Sequence, residues 1–206
     1  MKRCGALVLF DRRCESCNED GFPLCVKCEG LLLDSAIPDV ITLRKVEIRA
    51  ASFYEGVARD LVLVLKQRRS HAVASKIGEV MIERLEMNDF EVVSWAPTSN
   101  EHVRERGHDQ ARLIAAAVAR HLGVRLRRTL RRVGHSAQTG KSRRDRLNGP
   151  TFEAAPSVVG HRILLIDDVV TTGATLTSAH ECLTSRGASV VACVAFASTP
   201  DPTRIR

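Results

Sequence analysis

Residues 162–176 read RILLIDDVVTTGATL, and the order of residue types in this segment predicts the architecture of the chain. The continuous apolar run 163–166 is typical of a strand that is buried on both faces of a sheet. Two carboxylates follow this run, and a turn of small residues then opens a helix. Ligands of open α/β sheets bind at the carboxyl ends of the strands, so the segment also predicts where a binding site lies.

The chemistry of this turn favours a sugar phosphate. We expect Asp167 and Asp168 to lie past the end of the strand and to accept hydrogen bonds from sugar hydroxyls, because carboxylates would repel a phosphate. A helix start offers unpaired backbone N–H groups and the positive end of its dipole to an anion. The residues expected to bind the phosphate are Thr171, Thr172, Gly173, Ala174 and Thr175. Glycine would let the backbone approach the anion closely, and hydroxyls would donate to its oxygens. A capped turn with incidental acids is the alternative.

Strand and helix patterns alternate on both sides of this segment. Strands are expected at 46–53, 90–95, 163–166 and 190–196, and helices at about 55–67, 72–86, 109–122 and 176–186. Gly123 and Gly187 follow two of these helices as C-terminal stops. Because strands that alternate with helices pair in parallel, the sequence predicts an α/β fold with a mostly parallel sheet flanked by helices.

Four of the seven cysteines form two CxxC pairs, Cys14 with Cys17 and Cys25 with Cys28. Two such chelating turns supply the thiolates of a tetrahedral, structural Zn²⁺ site, and so short a peptide needs the metal in order to fold. Disulfides are disfavoured in a reducing cytosol, and redox chemistry at one CxxC does not explain two pairs. We therefore predict a zinc-binding module over residues 1–34, a linker near residues 35–39, and a larger domain over residues 45–200.

Composition and charge exclude several classes of protein. With 206 residues, of which 44% are hydrophobic and 27% charged, the chain is typical of a globular protein rather than a disordered one. No apolar run approaches the roughly 20 residues of a membrane-spanning helix, and we expect a cytoplasmic protein. The net charge of +7 is regional, because residues 101–150 hold 13 lysines and arginines against 4 acidic residues. That segment suits polyphosphates or a nucleic-acid backbone, with a solvated arginine-rich face as the alternative.

Residues 163–175 closely resemble the 5-phosphoribosyl-1-pyrophosphate (PRPP) motif of type I phosphoribosyltransferases. Almost the whole chain resembles the ComF competence-protein family. This resemblance rests on the cysteine pairs, Phe53-Tyr54-Glu55-Gly56, Leu65-Lys66, the run 104–111 and the PRPP-like motif, in that order. The run 104–111 reads RERGHDQA where the family usually has RxRGFNQA, so His108 and Asp109 are departures. Gln138, Arg143, Arg146, Asn148 and Phe152 echo a further family segment, where phosphoribosyltransferases carry a mobile loop.

The resemblance implies a phosphoribosyltransferase-like fold in which Asp167 and Asp168 orient the ribose of PRPP and residues 171–175 hold its 5′-phosphate. It also implies that Mg²⁺ accompanies PRPP and that Arg104 or Arg106 pairs with the pyrophosphate, although solvated arginines are the alternative. For the whole protein it implies a role in the uptake of single-stranded DNA during natural transformation, beside a helicase-like partner.

Two further functions remain open at this point. The first is an active phosphoribosyltransferase that acts on an unidentified base or amine. The second is a pure zinc-dependent interaction module, which leaves the segment Asp167–Thr175 unexplained.

Overall fold

The computed structural model describes residues 12–133 and 149–200 of the chain. Its helices are α1 (Val26–Leu33), α2 (Gly56–Gln67), α3 (His71–Arg84), α4 (Asn100–Arg106), α5 (Gln110–Leu122) and α6 (Ala174–Ser185). Its strands are β1 (Ile41–Leu43), β2 (Val46–Phe53), β3 (Val92–Trp95), β4 (Arg125–Leu126), β5 (Leu130–Val133), β6 (Thr151–Ala154), β7 (Arg162–Val170) and β8 (Val190–Ser198). A short 3₁₀ turn, Pro156–Val158, precedes β7.

The main sheet has the strand order β1-β2-β8-β7-β3-β4. Strands β2, β8, β7, β3 and β4 run parallel to their neighbours, and only β1 pairs antiparallel, at the edge beside β2. A separate antiparallel hairpin joins β5 to β6. The prediction of a mostly parallel sheet flanked by helices is therefore confirmed.

Most predicted elements are found within two residues of their expected bounds, and local signals explain them. Ser70 caps α3, because its Oγ accepts from Val73 N at 3.3 Å. Gly123 ends α5 in the left-handed conformation with φ 65°. Helices α1 and α4, the edge strands β1 and β4, and the β5–β6 hairpin were not predicted, since short elements carry little periodicity.

Helices cover both faces of the sheet, and the alternation of β7 divides the core. Leu164 and Ile166 pack in one apolar cluster with residues of α2, α3 and α5, which we call the α5 face. Ile163 and Leu165 pack in a second cluster with residues of α6 and the β5–β6 hairpin, which we call the α6 face. All four side chains are fully buried, as the continuous apolar run predicted. Within the described ranges, no helix combines the length and apolarity that crossing a membrane requires.

Candidate functional site

Asp167 and Asp168 lie within β7, not past its end as expected from the sequence. The strand continues to Val170, which pairs with Ser198 of β8. Apolar periodicity could not predict this extension. Backbone hydrogen bonds to β8 continue the strand, and these bonds form whatever the polarity of the side chains. Both carboxylates are partly buried, and consecutive residues of a strand point to opposite faces. The two carboxylates therefore have different neighbours.

Asp167 lies within electrostatic reach of Arg132 in β5. Burial, and then the charge of Asp168, raise the pKa of Asp167 well above its usual range. Burial lowers the pKa of Arg132, and the charge of Asp167 opposes that change. Asp168 N also donates to Asp167 Oδ1 at 2.9 Å. Because burial and the charge of Asp168 oppose ionisation of Asp167, a cation beside it would favour the carboxylate form, which accepts hydrogen bonds from sugar hydroxyls.

Asp168 faces Lys66, which lies in the last turn of α2. Lys66 Nζ is 4.0 Å from Asp168 Oδ2, and 19% of the Asp168 side chain is exposed. Val169 N donates to Asp168 Oδ1 at 2.8 Å and so fixes that carboxylate. The carboxylates of Asp109, Asp167 and Asp168 lie near enough for their charges to interact. Burial first, and also the charge of Asp168, raise the pKa of Asp109. Such a cluster can bind hydroxyl groups, and it needs cations before it can accept an anionic ligand.

Gly173 shapes the turn that follows β7. Its φ of 80° lies in the left-handed region, and a Cβ added there would lie 2.8 Å from Ile48 Cδ1. Gly173 is buried. Backbone conformation and packing against β2 therefore already require glycine at this position, and the close approach to an anion that the sequence suggests stays a prediction.

The start of α6 offers donors to an anion. Thr171 and Thr172 are exposed, and Thr175 is half-buried. Thr172 Oγ1 accepts from Ala174 N at 3.4 Å, and the first backbone bond of the helix runs from Thr177 N to Gly173 O. Gly173 is the N-cap residue and has no side chain with which to pair the first-turn amides. This end of α6 therefore combines threonine hydroxyls, backbone N–H groups and the positive end of the helix dipole.

Arg104 and Arg106 lie in α4, which Ser99 caps through an Oγ that accepts from His102 N at 3.2 Å. Arg104 is exposed, and Arg106 Nη1 donates to Gln110 Oε1 at 3.4 Å. Within the described residues, neither arginine forms an ion pair with Asp167 or Asp168. The structure therefore does not bring the two arginines into contact with the carboxylates.

His108 fastens the turn between α4 and α5 to the end of α2. The imidazole is buried, with Nδ1 2.8 Å from Arg106 O and Nε2 2.5 Å from Leu65 O. Since Leu65 precedes Lys66, this contact fixes the backbone beside the cation that faces Asp168. The departure from the usual family residue at position 108 is therefore accommodated by two polar contacts.

Asp109 is the N-cap of α5 and also holds the loop that follows β3. Its Oδ1 accepts from Arg112 N at 3.3 Å, while its Oδ2 accepts from Trp95 Nε1 and Thr98 N, both at 3.2 Å. An aspartate directly before a helical pattern is a recognised N-cap signal, which could have identified this role from sequence. Lys66 and Arg132 carry no such local signal, and sequence reasoning gave neither of them a role.

The four cysteines of the two CxxC pairs come together. Their Sγ atoms all lie within 4.8 Å of one another, and Cys17 Sγ is 3.5 Å from Cys25 Sγ. A tetrahedral Zn²⁺ with Zn–S bonds of about 2.3 Å places sulfurs about 3.8 Å apart, so the cluster could hold such a metal ion. Cys14 and Cys28 are buried, and both belong to the apolar cluster of the α5 face.

The thiols of this cluster differ in acidity. Burial raises the pKa of Cys28 to about 12. Burial also acts to raise the pKa of Cys14, but backbone hydrogen bonds from Cys17, Cys25 and Ser16 outweigh it and lower that pKa to about 6. Those N–H groups stabilise the thiolate form that metal ligation requires.

Polar contacts attach this segment to α2. Ser16 Oγ donates to Asp60 Oδ2 at 2.7 Å, and Glu15 forms an ion pair with Arg68. Among the residues after position 133 that resemble the further family segment, Phe152 is buried in β6 on the α6 face. Gln138, Arg143, Arg146 and Asn148 lie outside the described residues.

Comparison with known families and proteins bears on the same regions. Residues 109–204 match the family described as Phosphoribosyl transferase domain. Competence protein ComFC of Bacillus subtilis (strain 168) is 38% identical over 93 residues, which make up 44% of this chain and 37% of ComFC. The match thus spans well under half of the relative's length. Together with the four-cysteine cluster, these findings fit a ComF-like protein and confirm the resemblance seen in the motifs.

Solved phosphoribosyltransferases are also similar to the chain. Adenine phosphoribosyltransferase from Thermoanaerobacter pseudethanolicus is 15% identical with a TM-score of 0.42, covering 77% of this chain and 81% of that one. Orotate phosphoribosyltransferase from Mycobacterium tuberculosis is 20% identical with a TM-score of 0.40, covering 82% of this chain and 79% of that one.

Proposed function

We propose that this ComF-like chain binds PRPP, or a related phosphoribosyl ligand, across the carboxyl end of β7. The observation that supports this most is the continuity of two carboxylates with a helix start that offers several donors to an anion. Asp167 and Asp168 would contact the ribose hydroxyls, and residues 171–175 would contact the 5′-phosphate. A ribose 5-phosphate unit has hydroxyls and an anion in that same order.

The pyrophosphate end of such a ligand needs cations. Mg²⁺ prefers oxygen ligands and would accompany the pyrophosphate. We keep Arg104 and Arg106 as proposed pyrophosphate partners, since both lie in α4, next to the turn that His108 holds against α2. Arginine suits this task because its guanidinium donates two parallel hydrogen bonds to phosphate oxygens.

Isothermal titration of PRPP with Mg²⁺ tests the proposal. Replacing both carboxylates, as Asp167→Asn plus Asp168→Asn, removes two charge-assisted acceptors worth about 1.5 to 3 kcal/mol each and should weaken PRPP binding a hundredfold or more. Asp89→Asn, which changes an exposed carboxylate elsewhere, is the control. Undiminished affinity in the double variant, with an unchanged melting temperature, would show that the segment is a structural turn.

We further propose that the four-cysteine cluster holds one structural Zn²⁺. The convergence of the sulfurs and the backbone donors to Cys14 support this assignment. A zinc-binding module over residues 1–34 and a phosphoribosyltransferase-like domain over residues 45–200 remain our proposed division of the chain. The ion would supply folding free energy that so short a segment cannot obtain from its own core.

Assistance in the uptake of single-stranded DNA, beside a helicase-like partner, is our proposal for the role of the whole protein. It is supported by the match to a competence protein and by the basic segment 101–150. Residues 134–148 of that segment lie outside the described residues. We also keep the cytoplasm as the proposed location.

An active phosphoribosyltransferase is the second candidate. The raised pKa values of Asp109 and Asp167 at one strand end favour it, because shifted pKa values cluster at catalytic sites. A screen for Mg²⁺-dependent pyrophosphate release from PRPP, over purine and pyrimidine bases and simple amines, decides between binding and transfer. An acceptor that raises the rate of pyrophosphate release above the rate without acceptor would establish an enzyme, provided that the increase is lost in the double Asp variant.

A further inference from the structure

Lys66 presents an ammonium group with unused donors at the carboxyl end of the sheet. Nζ lies 4.0 Å from Asp168 Oδ2, with 30% of the lysine side chain exposed, and 5.6 Å from the centre of the Tyr54 ring. At 4.0 Å the carboxylate attracts the ammonium without accepting a hydrogen bond from it. Among the described residues, Lys66 Nζ makes no hydrogen bond. Its three donors are therefore available to a ligand.

One contact holds the backbone next to Lys66, and a second holds its ammonium group. The neighbouring carbonyl, Leu65 O, contacts the buried ring of His108. The charge itself lies against the Tyr54 ring, a favourable cation–π arrangement that keeps the long side chain directed toward Asp168. A cation held in this way loses less conformational entropy on binding than a free surface lysine does.

Lys66 lies on the other side of the sheet from the start of α6. Helix α2 packs on the α5 face, whereas α6 packs on the opposite face. A phosphoribosyl ligand whose 5′-phosphate lies at the start of α6, and whose ribose lies over Asp167 and Asp168, extends its other end toward Lys66. The substituent at that end of PRPP is the pyrophosphate on C1 of the ribose.

We propose that Lys66 is a further ligand-binding residue, whose ammonium donates to an oxygen of the pyrophosphate group. This inference rests on the proposed function. Lysine binds phosphate as a compact point charge with three donors, and it would offset part of the repulsion between the pyrophosphate and Asp168. The arginines of α4 show no contact with Asp168 in the described residues, so Lys66 is better placed than they are for the ligand end nearest that carboxylate.

The test is isothermal titration of three probes, each with Mg²⁺: PRPP, ribose 5-phosphate and inorganic pyrophosphate. The variants are Lys66→Gln, which removes the charge, and Lys66→Arg, which keeps it. The matched control is Lys76→Gln, because Lys76 is a partly buried lysine of α3 that pairs with Glu29 and Glu79, away from the carboxylates of β7. Thermal melts without ligand show that each variant is folded.

We expect Lys66→Gln to weaken PRPP and pyrophosphate binding at least about tenfold and ribose 5-phosphate binding less than about threefold, with partial recovery in Lys66→Arg. Equal weakening of PRPP and ribose 5-phosphate would overturn the proposal, because Lys66 would then act only by orienting Asp168. Unchanged PRPP affinity in Lys66→Gln would overturn it as well, while leaving the proposed function intact. Failure of the unsubstituted protein to bind PRPP would instead overturn the proposed function, and this inference with it.

Discussion

Replacing Gly173 by alanine should destabilise the turn that carries the proposed phosphate site, through two separable effects. The first is conformational, since an L residue at φ 80° costs about 1 to 2 kcal/mol. The second is steric, because the new Cβ would lie 2.8 Å from Ile48 Cδ1 in a fully buried position of β2. Overpacking of this kind costs about 1 to 3 kcal/mol.

Gly123→Ala is the matched control. Gly123 also has a positive φ, of 65°, but nothing lies within 4 Å of its would-be Cβ. Both substitutions share the backbone strain and the loss of unfolded-state entropy, so the difference between them isolates the contact with Ile48. Gly173→Ala should lower the free energy of unfolding by about 3 kcal/mol and Gly123→Ala by about 1 kcal/mol. For a chain of this length, these losses correspond to about 6–12 °C and about 2–4 °C in melting temperature.

A double-mutant cycle identifies the steric part. Ile48→Val removes Cδ1 at its own cost of about 0.5 to 1.5 kcal/mol, and in that background Gly173→Ala should cost only the conformational share. Urea unfolding of the four proteins provides the measurement. If Gly173→Ala costs no more than Gly123→Ala, or if Ile48→Val leaves its cost unchanged, then Ile48 does not occupy the space beside Gly173 and the reasoning fails.

Three further predictions follow from the charges and thiols. Cys25→Ser plus Cys28→Ser should reduce zinc from about one ion per chain to none by elemental analysis, while Cys182→Ser keeps it; retained zinc in the double variant would contradict the ligand set. Because the folded state raises the pKa of Asp167 above its unfolded value of 3.8, ionisation of this group costs stability as pH rises from that value. The difference in melting temperature between Asp167→Asn and the unsubstituted protein should therefore shift in favour of the variant as pH rises above about 4, and a difference that does not change with pH would refute the shift. If the basic segment 101–150 binds single-stranded DNA, affinity should fall steeply with salt in fluorescence titrations. Absence of binding at low salt would remove the DNA-handling proposal.

Local sequence patterns were sufficient to predict most of the longer secondary-structure elements and the cysteine cluster. The apolar run 163–166, the helix that starts after Asp109 and the glycine stop at position 123 all depend on residues close together in sequence, and the structure has each of them. The spacing of the two CxxC pairs likewise predicted a cluster that could hold a metal ion. Each of these features is encoded by periodicity, capping or chelate spacing, which act over a few residues.

The length of β7 is a feature that local patterns did not predict. Asp167 and Asp168 interrupt the apolar run, so the sequence predicted that the strand would end before them. Pairing with β8 continues the strand to Val170 instead. A neighbouring strand supplies hydrogen bonds to the backbone of polar and apolar residues alike, and the identity of that neighbour is not a local property.

The surroundings of the carboxylates were decided by tertiary structure alone. Lys66 reaches Asp168 from α2, Arg132 lies near Asp167 from β5, and Ile48 fills the space beside Gly173 from β2. These contacts depend on the strand order β2-β8-β7-β3 and on how α2 and the β5–β6 hairpin pack around that sheet, which together bring distant parts of the chain close to β7 and the turn after it. The sequence by itself determined most of the local elements and pointed to the residues that we propose bind the ligand. Only the packed sheet determined their partners, because hydrophobic alternation states which face of a strand is buried and not which strand lies beside it.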